Sequence, residues 1–190
     1  MKKMLFLVLL LLPCWLSAQI VDSVALRQVD SLLQVSGNLT TSRDFDKALE
    51  VNAEAEKTAL EKLGRESAAY GRCAFSRGRV NHIKGNYPEA EKWYSESIVI
   101  REKVLGKEHL DCAASLRNLA VLFDETGKYD KAEPLFLECK AIREKVLGRE
   151  HPLYVSTLMS LAIVYKNKGQ YEKAEPLYLE SKAIREKTIG

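Results

Sequence analysis

Between Tyr129 and Gly148 the apolar positions are Ala132, Leu135, Phe136, Cys139, Ile142 and Val146, at steps of three, one, three, three and four. That spacing traces one stripe of a 3.6-residue helix, and Lys131, Glu138, Arg143 and Lys145 fall off it. Gly148 stands where a left-handed residue closes a helix, and Pro134 lies near the start, where a missing backbone N–H costs little. Upstream, Leu116, Leu119, Ala120 and Phe123 share one face and predict a second helix over roughly 109–126. Leu158, Leu161, Ala162 and Tyr165 predict its later copy over roughly 151–168, with Pro152 at the first helical position. Short glycine turns, Gly127-Lys128 and Gly169-Gln170, join the helices of each pair. Each unit is an αα-hairpin with one wet side, which cannot bury its apolar stripe alone.

The hairpin recurs. YDKAEPLFLECKAIREKVLG at 129–148 returns as YEKAEPLYLESKAIREKTIG at 171–190, with 15 of 20 positions identical and an offset of 42 residues. Looser copies at the same offset begin at Tyr87 and Phe45. A fixed period of this size predicts an all-α stacked array, with approximate repeats 21–64, 65–106, 107–148 and 149–190. Val21–Asp44 is expected to carry the first helix of the first repeat, and Gly37-Asn38 with Thr40-Thr41-Ser42 reads as a loop before the second helix at Phe45. Glu66–Lys84 is the weak copy: Ala74, Arg77, Gly78 and Asn81 stand where its neighbours have Leu, Leu, Ala and an aromatic. Either that helix packs in a shifted register on Phe75, Val80 and Ile83, or its polar residues find partners inside.

These residues resemble the tetratricopeptide repeat, in the 42-residue variety of the kinesin light chains and many bacterial proteins. The family's first-helix pattern is met by Leu116-Leu119-Ala120-Phe123 and Leu158-Leu161-Ala162-Tyr165, and its second-helix pattern by Ala132-Phe136-Cys139 and Ala174-Tyr178-Ser181. The Gly-x-Tyr turn is met at Gly127-Lys128-Tyr129 and Gly169-Gln170-Tyr171. The resemblance implies a right-handed superhelical solenoid acting as a non-catalytic protein–protein interaction module. In such proteins the first helices line a concave groove that receives a peptide. Carried over position by position, the groove residues expected here are Phe75, Arg79, Arg117, Asn118, Val121, Met159, Ser160 and Ile163. Phe75, Val121, Met159 and Ile163 are apolar residues the core stripe does not need, and Arg79, Arg117 and Asn118 could hold a peptide backbone or carboxylate. Asn118 resembles the groove asparagine of the kinesin light chains, but its counterparts Ser76 and Ser160 weaken the idea of a repeated asparagine clamp.

Met1–Ala18 stands apart: Lys2-Lys3, nine unbroken apolar residues over 4–12, then Pro13 and a small residue, Ala18, before Gln19. That is the pattern of a secretory signal peptide, too short to span a bilayer, which takes about 20 residues. The expectation is an exported protein, periplasmic or secreted, with no membrane attachment after cleavage. Losing Lys2 and Lys3 lowers the formal charge from +3 to +1 and removes any electrostatic reason to expect nucleic acid.

Candidate chemistry changes little. In an exported protein two of Cys73, Cys112 and Cys139 could pair, yet Cys139 takes a small core position filled by Ser97 and Ser181 in sister repeats. Buried free thiols are the expectation. His109 and His151 occupy the same place in successive repeats, so they should lie a helix-packing distance of about 8–10 Å apart, too far to share a zinc ion. A role at the helix start is expected for both. The sequence contains no Gly-rich phosphate loop, GxSxG or HExxH, and suggests no enzyme, metal or cofactor. Gly190 follows a second helix directly, with no polar capping helix, so Leu177, Tyr178 and Ile184 are expected to be partly exposed. A self-associating structural protein would use that open face. A chain that continues into more repeats or an effector domain would explain it equally.

Overall fold

The computed structural model describes residues 14–189, with side chains over 22–188. Among them are eight helices and no strand: α1 (Cys14–Thr41), α2 (Phe45–Lys62), α3 (Ala68–Lys84), α4 (Tyr87–Leu105), α5 (Leu110–Glu125), α6 (Tyr129–Leu147), α7 (Pro152–Asn167) and α8 (Tyr171–Ile189). The expected leader falls largely on residues 1–13, outside the described residues, and 14–18 belong to α1. None of the described helices is long and apolar enough to cross a membrane.

Each helix packs on its neighbours in sequence. The first helices α1, α3, α5 and α7 also meet one another in succession, while the second helices α2, α4, α6 and α8 make no comparable contacts among themselves. Layers held closer on one side must curve toward that side, so the first helices line the inside of the solenoid. Its largest core cluster runs through the array, joining Ala90 and Tyr94 of α4, Leu119 and Phe123 of α5, Phe136 of α6, Leu161 and Tyr165 of α7, and Ala174 of α8. Of the stripe on α6, Ala132, Phe136, Cys139 and Ile142 are buried, but Val146, past the last layer, is exposed.

The hairpin turns use left-handed residues at the period of the sequence: Gly85 (φ 87°), Gly127 (72°), Gly169 (73°) and, in the first hairpin, Arg43 (62°). The loop expected at 37–42 is corrected here. Gly37 through Thr41 continue α1, and the chain reverses only beyond it. The hydroxyls that suggested a loop point back along the helix, Thr40 Oγ1 donating to the Ser36 carbonyl at 2.7 Å and Thr41 Oγ1 to that of Gly37 at 3.0 Å. Ser36, fully buried, donates to the Ala48 carbonyl of α2 at 2.9 Å and ties the two helices together.

The weak copy keeps its register. Ala74, Gly78 and Asn81 are buried at the core positions, while Ile83 is exposed. Arg77 extends to α2, where it meets Glu56 at 2.6 Å, and its guanidinium lies over the Trp93 ring. Asn81 donates to the Arg77 carbonyl at 2.9 Å and accepts from Asn86. The polar residues find partners inside, which is the second of the two alternatives above.

Successive repeats share one polar joint. Arg101 of α4, buried, donates to the Asp111 carbonyl at 2.7 Å and to Ser115 Oγ at 2.9 Å in α5. Forty-two residues on, Arg143 of α6 does the same to the Leu153 carbonyl at 2.9 Å and Thr157 Oγ1 at 2.8 Å in α7. Each joint adds a charged donor from the neighbouring helix to a first-turn carbonyl that also accepts the hydroxyl four residues on, Ser115 at 3.3 Å and Thr157 at 2.8 Å. His109 and His151 cap the same two helices, each Nδ1 accepting a backbone N–H, from Asp111 and Leu153, at 3.1 Å. Cys73, Cys112 and Cys139 are buried free thiols, and burial pushes Cys73 up to about 12.

Candidate interaction groove

The inner surface is built from the faces of α3, α5 and α7 that the core does not use. Gly78 shapes its middle. A Cβ there would lie 2.6 Å from the Tyr94 ring, so only glycine lets that ring press between α3 and α5. The buried Tyr94 thereby brings its hydroxyl to the groove floor, 3.3 Å from His82 Nδ1, and His82 Nε2 in turn meets Glu125 at 2.8 Å. Burial raises the Tyr94 phenol far above its ordinary range and keeps it protonated.

Above this floor opens a cavity of about 450 Å³, lined by Arg79, His82, Tyr87, Tyr94, Asn118 and Glu125 among others. Arg79 is exposed and has no hydrogen bond or ion pair, so its guanidinium is available to an incoming group. Asn118 donates to the Ala114 carbonyl at 2.8 Å, which holds the amide in place. Of the eight residues expected in the groove, these two share a cavity.

The other six are spread along the inner face. Phe75 is half-buried, tilted against Tyr94 and stacked under Arg101, and so serves packing as much as surface. Val121 also packs on the core cluster. Arg117 is half-buried with Nε enclosed and unpartnered. Ser160 donates to the Ser156 carbonyl of its own helix at 3.1 Å. Ile163 is exposed, and Met159 lies in a separate cavity beside Arg185. Sequence reasoning passed over Tyr87 and Tyr94 because both belong to α4, a second helix. The readable signal was the small residue at 78 facing an aromatic at 94.

The family model for the tetratricopeptide repeat matches residues 72–145 and 125–187, more than half of the chain. The chain belongs to the tetratricopeptide repeat family. No curated protein matches it. Among solved structures, BtubC (BKLC) from P. vanneervenii is similar at 22% identity and a TM-score of 0.74, over 92% of this chain and 74% of that one. The kinesin light chain TPR-like repeats of P. anserina are similar at 22% identity and a TM-score of 0.69, over 90% and 87%. RapI in its apo form is similar at 20% identity and a TM-score of 0.74, over 90% of this chain and 48% of that one. At these identities the likeness is one of fold. A tetratricopeptide solenoid is a protein–protein interaction scaffold, and the fold is generally a non-catalytic one. Among the described residues no group of three or more His, Cys, Asp and Glu could hold a metal ion.

Proposed function

We propose that this tetratricopeptide protein is an exported, non-catalytic adaptor that binds an extended or helical segment of a partner protein in its concave groove. The observation that carries the reading is the cavity between α3 and α5, where the unpaired Arg79 and the pre-oriented Asn118 stand over a floor of Tyr94, His82 and Glu125. A free guanidinium suits a ligand carboxylate or backbone carbonyl, the side-chain amide of Asn118 offers a donor and an acceptor to a peptide backbone, and the flanking Ile83 and Tyr87 suit an apolar side chain. The groove continues over Arg117, Val121, Met159, Ser160 and Ile163, enough inner surface for a segment of several residues. Export rests on the basic start, apolar run and small residue of positions 1–18.

The test is affinity capture from the exported fraction with wild-type protein beside an Arg79→Ala/Asn118→Ala double variant. A protein retained by the wild type and lost by the variant supports the adaptor reading and names the partner. Equal recovery with both baits removes the groove from the account. Mass spectrometry of the N-terminus from the same fraction reads the leader, since a mature start at Gln19 is expected and an intact Met1 refutes cleavage.

A further inference from the structure

First helices α3, α5 and α7 each place one inner-face residue against an arginine late in the following second helix. Phe75 lies against Arg101, whose guanidinium stacks 4.5 Å from the ring centroid. Met159 meets Arg185, with Nη2 2.8 Å from its sulfur. Arg117 holds the same place between them, 42 residues after Phe75 and 42 before Met159, and the arginine it faces is Arg143. An aromatic face attracts a guanidinium and a thioether tolerates one. A second guanidinium repels it.

No carboxylate offsets this pair among the described residues. Arg117 makes no ion pair or hydrogen bond, and only its Nε is enclosed, so the two terminal nitrogens stay open. Arg143 is 4% exposed and gives Nη1 to the Leu153 carbonyl and to Thr157, leaving Nε and Nη2 without acceptors. Neither of those nitrogens is sealed off, unlike Arg101 Nε. Arg101 also has the Asp111 carboxylate near it, whereas Leu153 stands at the corresponding position beside Arg143. Burial, and with it the Arg117 charge, pushes the Arg143 guanidinium below its ordinary value. The Cys139 thiol, whose ionised form would offset the two cations, is raised by burial and stays protonated. Residues 1–21 and 189–190, whose side chains lie outside the described set, contain no Asp or Glu.

Two neighbouring cations with free donors and no acid between them suit an anion of matching charge. A carboxylate offsets one of them. A phosphate dianion offsets both and offers oxygens to two planar forks at once. We propose that Arg117 and Arg143 form a binding site for a phosphate dianion on the inner face between α5 and α7, filled by free phosphate or by a phosphate monoester. Arg143, fixed by Leu153 and Thr157, is the floor of the site, and Arg117 covers the anion from the groove side. Neither arginine lines the cavity of Arg79 and Asn118, and the site does not depend on the ligand proposed for that cavity.

The test is calorimetric titration of sodium phosphate into the full-length protein at fixed ionic strength and about pH 8, where the dianion prevails. Saturable 1:1 binding is expected, weakened roughly tenfold or more by Arg117→Met, which carries the side chain that the next repeat has at 159. A parallel titration with N-acetyl-O-phosphoserine amide separates the two sources: tighter binding than phosphate assigns a monoester on a partner segment, and equal or weaker binding assigns the free ion. Without phosphate, Arg117→Met should melt about 2 °C or more above the wild type, because the like charge is gone. Circular dichroism checks that its helices are intact. The groove variant Arg79→Ala/Asn118→Ala should bind phosphate as the wild type does, so a failure here is separable from a failure of the groove reading. Absent phosphate binding, binding equal in Arg117→Met, binding lost in the groove variant, or equal binding of sodium acetate overturns the site. So does an Arg117→Met protein that melts no higher than the wild type, because the two arginines would then not oppose each other.

Discussion

At the scale of single residues, the repeat's departures from its own pattern are where its shape is set. Gly78 replaces the alanine of the sister repeats because the Tyr94 ring occupies the Cβ position. Gly78→Ala is expected to destabilise the protein by about 1–3 kcal/mol through overpacking, read as a lower urea midpoint at unchanged m-value. The same variant should displace Tyr94 and close the cavity under Arg79. Asn52 is the opposite case: it stands where Tyr94 and Phe136 stand, is fully buried, and neither side-chain amide atom has a partner. Asn52→Leu is expected to stabilise the first hairpin by about 1 kcal/mol, since it replaces an unsatisfied buried amide by an apolar side chain of the same branched shape, at a position filled by larger rings in the sister repeats. Thermal unfolding measures it. The glycine at 78 could be noticed in the sequence as an exception, but its reason lies 16 residues away in α4, so periodicity alone could not assign it.

At the scale of elements, helices were legible because the apolar stripes of 116–123 and 132–142 are wide and their ends carry His109, Gly127 and Gly148 as punctuation. The end of α1 was not. Gly37, Asn38, Thr40 and Thr41 are poor helix formers in isolation, and burial of Ser36 and Thr40 against α2 overrode that preference. Between elements, the acidic partner of the α7 end is Glu133, whose carboxyl is held below its ordinary value of 4.5 chiefly by the Lys168 ammonium, against a desolvation effect of opposite sign. A depressed folded pKa means stability that is complete above the unfolded value and is lost as pH falls through the folded one. Wild type is therefore expected to exceed Glu133→Gln in stability at pH 6–7, with the gap shrinking below about pH 4.5 and vanishing below the folded value. Chemical denaturation of both proteins across that range measures it.

At the scale of the molecule, the solenoid is held mainly by contacts between helices adjacent in sequence, reinforced by polar joints between successive hairpins. Arg143 couples the third and fourth hairpins through the Leu153 carbonyl and Thr157. Burial lowers the Arg143 guanidinium from its ordinary pKa, which leaves it charged at neutral pH. Arg143→Ala should weaken that joint by about 1.5–3 kcal/mol, through loss of two charge-assisted hydrogen bonds between the hairpins. In an array of this kind the loss stays local. Amide exchange is expected to speed up in α7 and α8 while α3 and α4 keep wild-type protection; uniform acceleration would mean that the array opens as one unit.

The sequence by itself determined that this is an all-α array of 42-residue hairpins, because a stripe of period 3.6 repeated at a fixed offset has few other ways to bury itself. The resemblance to the tetratricopeptide repeat put Arg79 and Asn118 among the expected inner-face residues. Only the tertiary structure decided that these two share one cavity and that Tyr94 forms its floor. Those facts depend on which helix lies against which, and a side chain's neighbours across a layer leave no periodic mark on its own helix.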